Sequence, residues 1–265
     1  MVNRTVRHIL YGLLLFSLSS CAGTLRQGTK IQEAGVVLPN VTTQNAVRPS
    51  AVLRYDSVHH PVVANGGMVV SQNRLASEVG QQILADGGNA VDAAVAVGFA
   101  LAVTLPRAGN LGGSGFMLIH EAASRETTAL DFRSAAPALY KPQYHLDADG
   151  NIDLQTLKFG AQAAGVPGTV AGLYTAWERG GKLPWENLVA PAIRLAEDGI
   201  RVTADLANAL AAETAVFERY PSSRAVYLSP VTGTTYQFNE IWRQTDLAWS
   251  LTEIQREGAA AFYQG

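Results

Sequence analysis

An arginine at the end of a predicted β-strand is the first candidate for a binding role. Residues 127–133 read TTALDFR, so Leu130 and Phe132 share one face of an extended chain while Asp131 and Arg133 share the other. A guanidinium can hold a carboxylate through two parallel hydrogen bonds. Arg133 is therefore a candidate carboxylate-binding residue. The alternative is a structural ion pair, for which Asp131 on the same face is the available partner.

A glycine-rich stretch, RAGNLGGSG at residues 107–115, is the second candidate. Phosphate-binding loops follow a strand and precede a helix, and the Walker type ends in Lys followed by Ser or Thr. Here a predicted helix precedes the glycines, a predicted strand follows them, and no such lysine is present. A tight turn that packs against a neighbouring element is therefore favoured over a phosphate site.

The histidine and cysteine patterns do not predict a metal centre. The adjacent pair His59 and His60 is not spaced by one helical turn, as two ligands on one helix face would be. Cys21 is the only cysteine, which excludes a disulfide scaffold and a multi-cysteine metal site. The chain also lacks a Gly-x-Ser-x-Gly elbow. Residue spacing thus predicts no metal ligand and no catalytic residue.

The charge balance argues against a nucleic-acid partner. The 265 residues include 20 Lys and Arg against 22 Asp and Glu, a net charge of −2, so no basic excess is available to neutralise phosphates. A hydrophobic content of 48% is enough to form a packed core. These values predict a globular protein that does not bind nucleic acid.

The N-terminus predicts a lipoprotein signal peptide over residues 1–21. Arg4 and Arg7 precede an apolar run at residues 9–18, which is shorter than the ~20 residues of a membrane-spanning helix. The run leads into Leu-Ser-Ser and then Cys21, as in bacterial signals whose cysteine is lipidated. A chance cysteine in an ordinary signal peptide is the alternative. We expect an exported protein that contacts the membrane only through its lipid anchor and faces the periplasm or the cell exterior.

Two further regions follow the signal peptide. Residues 22–57 are polar, without sustained periodicity, and predict a flexible tether; residues 58–265 form the folded part.

Asn89 and Asp92 have the spacing of a helix cap, and the uncharged helix that they begin must be buried because it is apolar on all sides. Buried strands are predicted at 67–71 and 116–120, and an antiparallel partner of the second strand at 127–133. Further helices are predicted at 75–86, 169–178, 185–197, 204–213 and 246–257.

Several stretches, in order, resemble signatures of the γ-glutamyltransferase family. They are GGNAVDAAVA at 87–96, AGNLGGSGFM at 108–117, DFR at 131–133, GVPGTVAG at 165–172, PAIRLA at 191–196 and FYQG at 262–265. The resemblance covers about residues 65–265. It implies an α+β fold, the αββα sandwich of N-terminal-nucleophile hydrolases, of which this chain would be only the large-subunit portion.

The resemblance also implies a reaction and a role for Arg133. Members of the family transfer the γ-glutamyl group of glutathione and similar compounds to water or to an amino acid, without metal or cofactor. Their precursor cleaves itself into two subunits, and the new N-terminal threonine of the small subunit is the nucleophile. The arginine of the Asp-Phe-Arg motif holds the substrate carboxylate, and this role carries over to Arg133.

One departure from the family pattern concerns the nucleophile. The family's processing site begins Thr-Thr-His, whereas none of the pairs Thr42-Thr43, Thr127-Thr128 and Thr234-Thr235 is followed by histidine. We therefore assign no catalytic residue and expect the chain to be inactive without a small subunit. A related acylase acting on cephalosporins, glutaryl compounds or poly-γ-glutamate, or a non-enzymatic remnant lipoprotein, is the alternative.

We predict that Cys21→Ala abolishes membrane anchoring, because the lipidated side chain is lost. The measurement is detergent partitioning of the two forms after expression in a bacterial host. Equal partitioning of both forms into the detergent phase would contradict the lipoprotein prediction.

Overall fold

The computed structural model describes residues 62–264, so the predicted signal peptide, Cys21 and the tether at 22–57 lie outside the described residues. The helices of the described part are α1 (Arg74–Ala85), α2 (Ala90–Thr104), α3 (Leu154–Lys158), α4 (Thr169–Gly180), α5 (Trp185–Asp198), α6 (Ala204–Ala212), α7 (Thr214–Phe217), α8 (Pro221–Tyr227), α9 (Thr245–Glu257) and α10 (Ala260–Tyr263). Its strands are β1 (Gly115–Glu121), β2 (Glu126–Phe132), β3 (Ile200–Arg201) and β4 (Ile241–Trp242). Both β1–β2 and β3–β4 are antiparallel pairs.

The carboxylate of Asp92 joins the start of α2 to the turn between α4 and α5. It is fully buried and accepts hydrogen bonds from the backbone amides of Asn89 at 2.8 Å, Lys182 at 2.9 Å and Leu183 at 3.3 Å. The amide side chain of Asn89 caps α2 and also donates to the carbonyl of Gly180 at 2.6 Å. The predicted cap is confirmed, and the same two residues also connect segments about 90 positions apart.

The core is helical and centres on α2. This helix packs against α1, α4 and α5, and α5 packs against α9. Trp185 at the start of α5 makes an edge-to-face contact with Phe99 of α2, with ring centroids 5.5 Å apart, and its indole N–H donates to the carbonyl of Ile254 in α9 at 2.9 Å. The prediction that α2 is buried is confirmed for most of the helix, whose apolar side chains contact neighbours on several sides, whereas Ala94 is exposed.

The β1–β2 hairpin has one covered and one open face. Met117, Ile119, Leu130 and Phe132 pack towards the helical core. On the opposite face of β1, Phe116 is 68% exposed and Leu118 is 75% exposed. The prediction of a buried strand at 116–120 is therefore confirmed for the strand and for its inner face, but burial is wrong for the outer face, because helices of the described residues cover only one side of the hairpin.

The predicted strand at 67–71 is also wrong. This segment has no regular secondary structure and pairs with no strand among residues 62–264, and only Val69 of it packs against the core. The main helices after the hairpin are confirmed to within one or two residues at most ends, whereas the short helices and the β3–β4 pair were not predicted. Within the described range, no helix is both long and apolar enough to cross a membrane.

We predict that Asp92→Ala lowers the free energy of unfolding by about 3 kcal/mol, because buried amide groups lose a charged acceptor. Urea denaturation of the purified chain measures this loss. Glu78→Ala is the control, since it removes only an exposed ion pair with Arg74 on α1 and should cost less than about 1 kcal/mol. Equal losses in the two variants would contradict the role of Asp92.

Candidate functional site

The guanidinium of Arg133 lies at the exposed end of β2, next to the glycine-rich turn. One of its terminal nitrogens donates to the hydroxyl of Ser114 at 2.9 Å, and that hydroxyl is 3.5 Å from the hydroxyl of Ser134. Arginine has five N–H donors, so most of the fork is left for a ligand. Among residues 62–264 the guanidinium forms no ion pair.

Asp131 holds the backbone of Arg133 rather than its side chain. A carboxylate oxygen of Asp131 accepts from the amide of Arg133 at 2.9 Å. The ion pair that was the alternative reading of Arg133 is therefore not formed. Asp131 instead fixes the direction in which the chain leaves β2, and this leaves the guanidinium available.

The residue before the arginine, Phe132, occupies a space that only glycines provide. A side-chain carbon placed on Gly168 would lie 2.0 Å from the carbonyl oxygen of Phe132, and one on Gly172 would lie 2.2 Å from its ring. A carbon on Gly115 would lie 2.9 Å from the other edge of the ring. We call these three glycines with Phe132 the glycine socket. It holds the backbone on the N-terminal side of Arg133 at a fixed distance from α4.

The chain after Arg133 is held by residues 166–169, which lead into α4. Ala135 and Val166 exchange two backbone hydrogen bonds, of 3.2 and 2.8 Å. The carbonyl of Gly113 accepts from the amides of Gly168 at 2.9 Å and Thr169 at 3.2 Å, which ties the glycine-rich turn to the start of α4. Residues 166–168 therefore lie beside 132–135, and Arg133 lies between Phe132 and Ala135, both of which are held in place.

This arrangement can orient a carboxylate, but it contains no activated nucleophile. The hydroxyl of Ser114 hydrogen-bonds Arg133 and Ser134, and neither can act as a general base. The predicted carboxylate-binding role of Arg133 stays a prediction that the exposed, unpaired guanidinium allows. In the described part of the chain, no group of three or more metal-ligating side chains is assembled.

Sequence reasoning missed Ser114 as the neighbour of Arg133. The register of the hairpin pairs Gly115 with Phe132, so the residues one step further out, Ser114 and Arg133, lie opposite each other. Both strands were predicted from the sequence, but only the pairing register shows that Ser114 lies opposite Arg133. The tight turn predicted for the glycine-rich stretch is confirmed by its bonds to the start of α4.

Comparison with known proteins gives a consistent relationship. The sequence model of the γ-glutamyltranspeptidase family matches residues 76–265. The glutathione hydrolase proenzyme of Escherichia coli K12 is 44% identical over 211 residues, which cover 79% of this chain and 36% of that protein. The chain thus spans about a third of the length of this curated relative.

Solved structures agree with the sequence comparison. The γ-glutamyltranspeptidase of Helicobacter pylori superimposes with a TM-score of 0.75 at 43% identity, covering 77% of this chain and 58% of that chain. The transpeptidase CapD of Bacillus anthracis gives a TM-score of 0.61 at 33% identity, covering 76% and 62%.

Helices pack on one side of a hairpin, and the chain superimposes on these structural relatives, so it forms part of an N-terminal-nucleophile hydrolase fold. The predicted α+β class is confirmed. Within this class, the chain belongs to the γ-glutamyltranspeptidase family.

We predict that Gly168→Ala and Gly172→Ala each lower the free energy of unfolding by about 2–3 kcal/mol, because a methyl group has no space beside Phe132. Gly66→Ala is the control: nothing lies within 4 Å of the added carbon, and we expect a change within about 0.5 kcal/mol. The measurement is chemical denaturation of the three variants. If all three unfold alike, the glycine socket does not constrain the backbone.

Proposed function

We propose that this chain is the N-terminal part of a γ-glutamyltransferase that acts as a glutathione hydrolase. The observation that carries the proposal is the Asp-Phe-Arg strand end, at which a rigidly held arginine keeps its guanidinium free of ion pairs within the described residues. Membership of the γ-glutamyltranspeptidase family and 44% identity to a glutathione hydrolase proenzyme support it. Glutathione or another γ-glutamyl compound is the donor, and water or an amino acid is the acceptor.

In the proposed reaction Arg133 binds the α-carboxylate of the γ-glutamyl group. Two parallel charge-assisted hydrogen bonds would fix both the position and the plane of that carboxylate. The γ-carbonyl of the donor would then be directed away from the arginine, towards the nucleophile. Ser114 holds one edge of the guanidinium and so restricts the directions in which its remaining N–H groups point.

The nucleophile in this proposal is a threonine of a downstream segment that becomes the small subunit. Its own amine acts as the base and takes the proton of the hydroxyl, whose oxygen attacks the γ-carbonyl; the C–N bond of the γ-glutamyl amide then breaks, the protonated amine leaves, and a threonyl ester remains. Water or an amino acid next attacks this ester, which releases glutamate or a new γ-glutamyl amide and restores the threonine hydroxyl. No metal or cofactor takes part. We define the completed precursor as this chain joined to a downstream segment that carries the Thr-Thr-His site.

We further propose that the protein is exported and anchored by a lipid on Cys21. This rests on the N-terminal sequence, in which positive charge, a short apolar run and a cysteine after small residues occur in that order. The donor would then be met in the periplasm or outside the cell.

A related acylase has less support than a glutathione hydrolase. The identities of 44% and 43% are to proteins named glutathione hydrolase and γ-glutamyltranspeptidase, whereas the cephalosporin acylase of Bacillus halodurans is 26% identical. A non-enzymatic remnant is distinguished by the activity assay that follows.

We predict that Arg133→Ala raises the KM of the completed precursor for a γ-glutamyl anilide by roughly ten- to a hundredfold, because a charge-assisted contact of about 1.5–3 kcal/mol is lost. Arg133→Lys keeps the charge but not the fork and should restore binding only in part. Self-cleavage and the thermal midpoint should change little, since the guanidinium is exposed and has a single side-chain partner. Glutamate release measures KM, denaturing gels show self-cleavage, and thermal unfolding gives the midpoint.

Two controls accompany this experiment. Arg74→Ala removes an exposed arginine of α1 and should leave KM within about twofold. The 265-residue chain by itself should release no glutamate, because it lacks the nucleophile. If Arg133→Ala unfolds the protein or blocks self-cleavage while KM stays unchanged in the surviving enzyme, Arg133 is structural; if the completed precursor matures but shows no turnover, the hydrolase proposal fails.

A further inference from the structure

The residue that precedes helix α4 has no side chain to cap it. The N-cap position is Gly168, and no side chain caps the helix from there. N-cap positions usually carry Ser, Thr, Asp or Asn, whose oxygen accepts from an amide of the first turn. Such a side chain is excluded here, because its first carbon would lie 2.0 Å from the carbonyl oxygen of Phe132. The glycine socket therefore leaves α4 without its own cap.

A tyrosine from the end of the described chain supplies the missing acceptor. The hydroxyl of Tyr263 accepts from the amide of Ala171, the third residue of α4, at 3.2 Å. It also donates to the carbonyl of Pro167 at 2.8 Å. One hydroxyl thus bonds the first turn of α4 and the residue just before its cap, across 92 and 96 positions of sequence.

The two bonded groups lie beside the backbone that carries Arg133. Pro167 stands between Val166, which pairs with Ala135, and Gly168, which contacts Phe132. A displacement of Pro167 would therefore be transmitted to both sides of Arg133. Tyr263 is 39% exposed, so burial in the core is not what holds its side chain in place.

We infer that Tyr263 is a positioning residue for Arg133: its hydroxyl caps α4 in place of Gly168 and fixes residues 166–168, which in turn fix the direction of the guanidinium. This inference rests on the proposed function, because it assigns to Tyr263 an effect on carboxylate binding. Tyr263 itself is not expected to touch the substrate.

The test compares Tyr263→Phe with Tyr220→Phe in the completed precursor. Both substitutions remove one hydroxyl from a tyrosine that is 39% exposed, and the hydroxyl of Tyr220 makes no hydrogen bond within residues 62–264. We expect Tyr263→Phe to raise KM for the γ-glutamyl anilide about three- to tenfold with kcat within about twofold, and Tyr220→Phe to change neither. A loss of kcat with KM unchanged would overturn the inference.

A double variant separates positioning from an independent contribution. If Tyr263 acts through Arg133, Tyr263→Phe should add nothing to the KM of Arg133→Ala. Increases that multiply would overturn the inference. If Arg133→Ala raises KM while Tyr263→Phe behaves like Tyr220→Phe, only the inference fails; if Arg133→Ala has no effect on KM, the proposed binding role and the inference fail together.

Hydrogen exchange on the 265-residue chain provides a readout that does not depend on activity. Loss of the Tyr263 hydroxyl should speed exchange of the Ala171 amide about tenfold or more, while amides in the middle of α2 keep their protection. Unchanged exchange at Ala171 would show that the hydroxyl does not cap α4 and would overturn the inference.

Discussion

The close approach of Phe132 to α4 is the constraint on which the candidate site depends. Its carbonyl oxygen and its ring occupy positions where any side chain on Gly168 or Gly172 would overlap them. Three consequences follow from this single approach. The end of β2 is held against a helix, the N-cap position of that helix must be a glycine, and the next residue, Arg133, follows a backbone that has little freedom to move.

The helical part provides the rigid support that this approach requires. Asp92 ties α2 to the turn after α4, and Trp185 ties α5 to both α2 and α9. A buried carboxylate is stable only when hydrogen-bond donors surround it, and here three backbone amides from two separate segments satisfy that need. Since α4 ends at the Asp92 turn and begins at the glycine socket, both of its ends are fixed, and its position determines that of Arg133.

Local sequence signals predicted the helices well and the site only in part. The Asn89 and Asp92 cap, the uncharged core helix and the face of β2 that carries Arg133 follow from spacing and periodicity, and the structure confirms them. The burial of β1 was predicted wrongly because an apolar run does not reveal how many layers cover it. Ser114 required the pairing register, and the Tyr263 contacts leave no local pattern, since the acceptor lies about 90 residues from the helix that it caps.

The 92 positions between Ala171 and Tyr263 delay the capping of α4 during synthesis. A helix with a local cap can complete its first turn as soon as it is synthesised, whereas α4 has to wait for a residue made 92 positions after Ala171. At a synthesis rate of roughly 5–20 residues per second, the delay is about 5–18 s. During this interval the start of α4 has only the Gly113 carbonyl and the glycine socket to hold it. The corner that carries Arg133 is therefore among the last parts of the described chain to reach its final form.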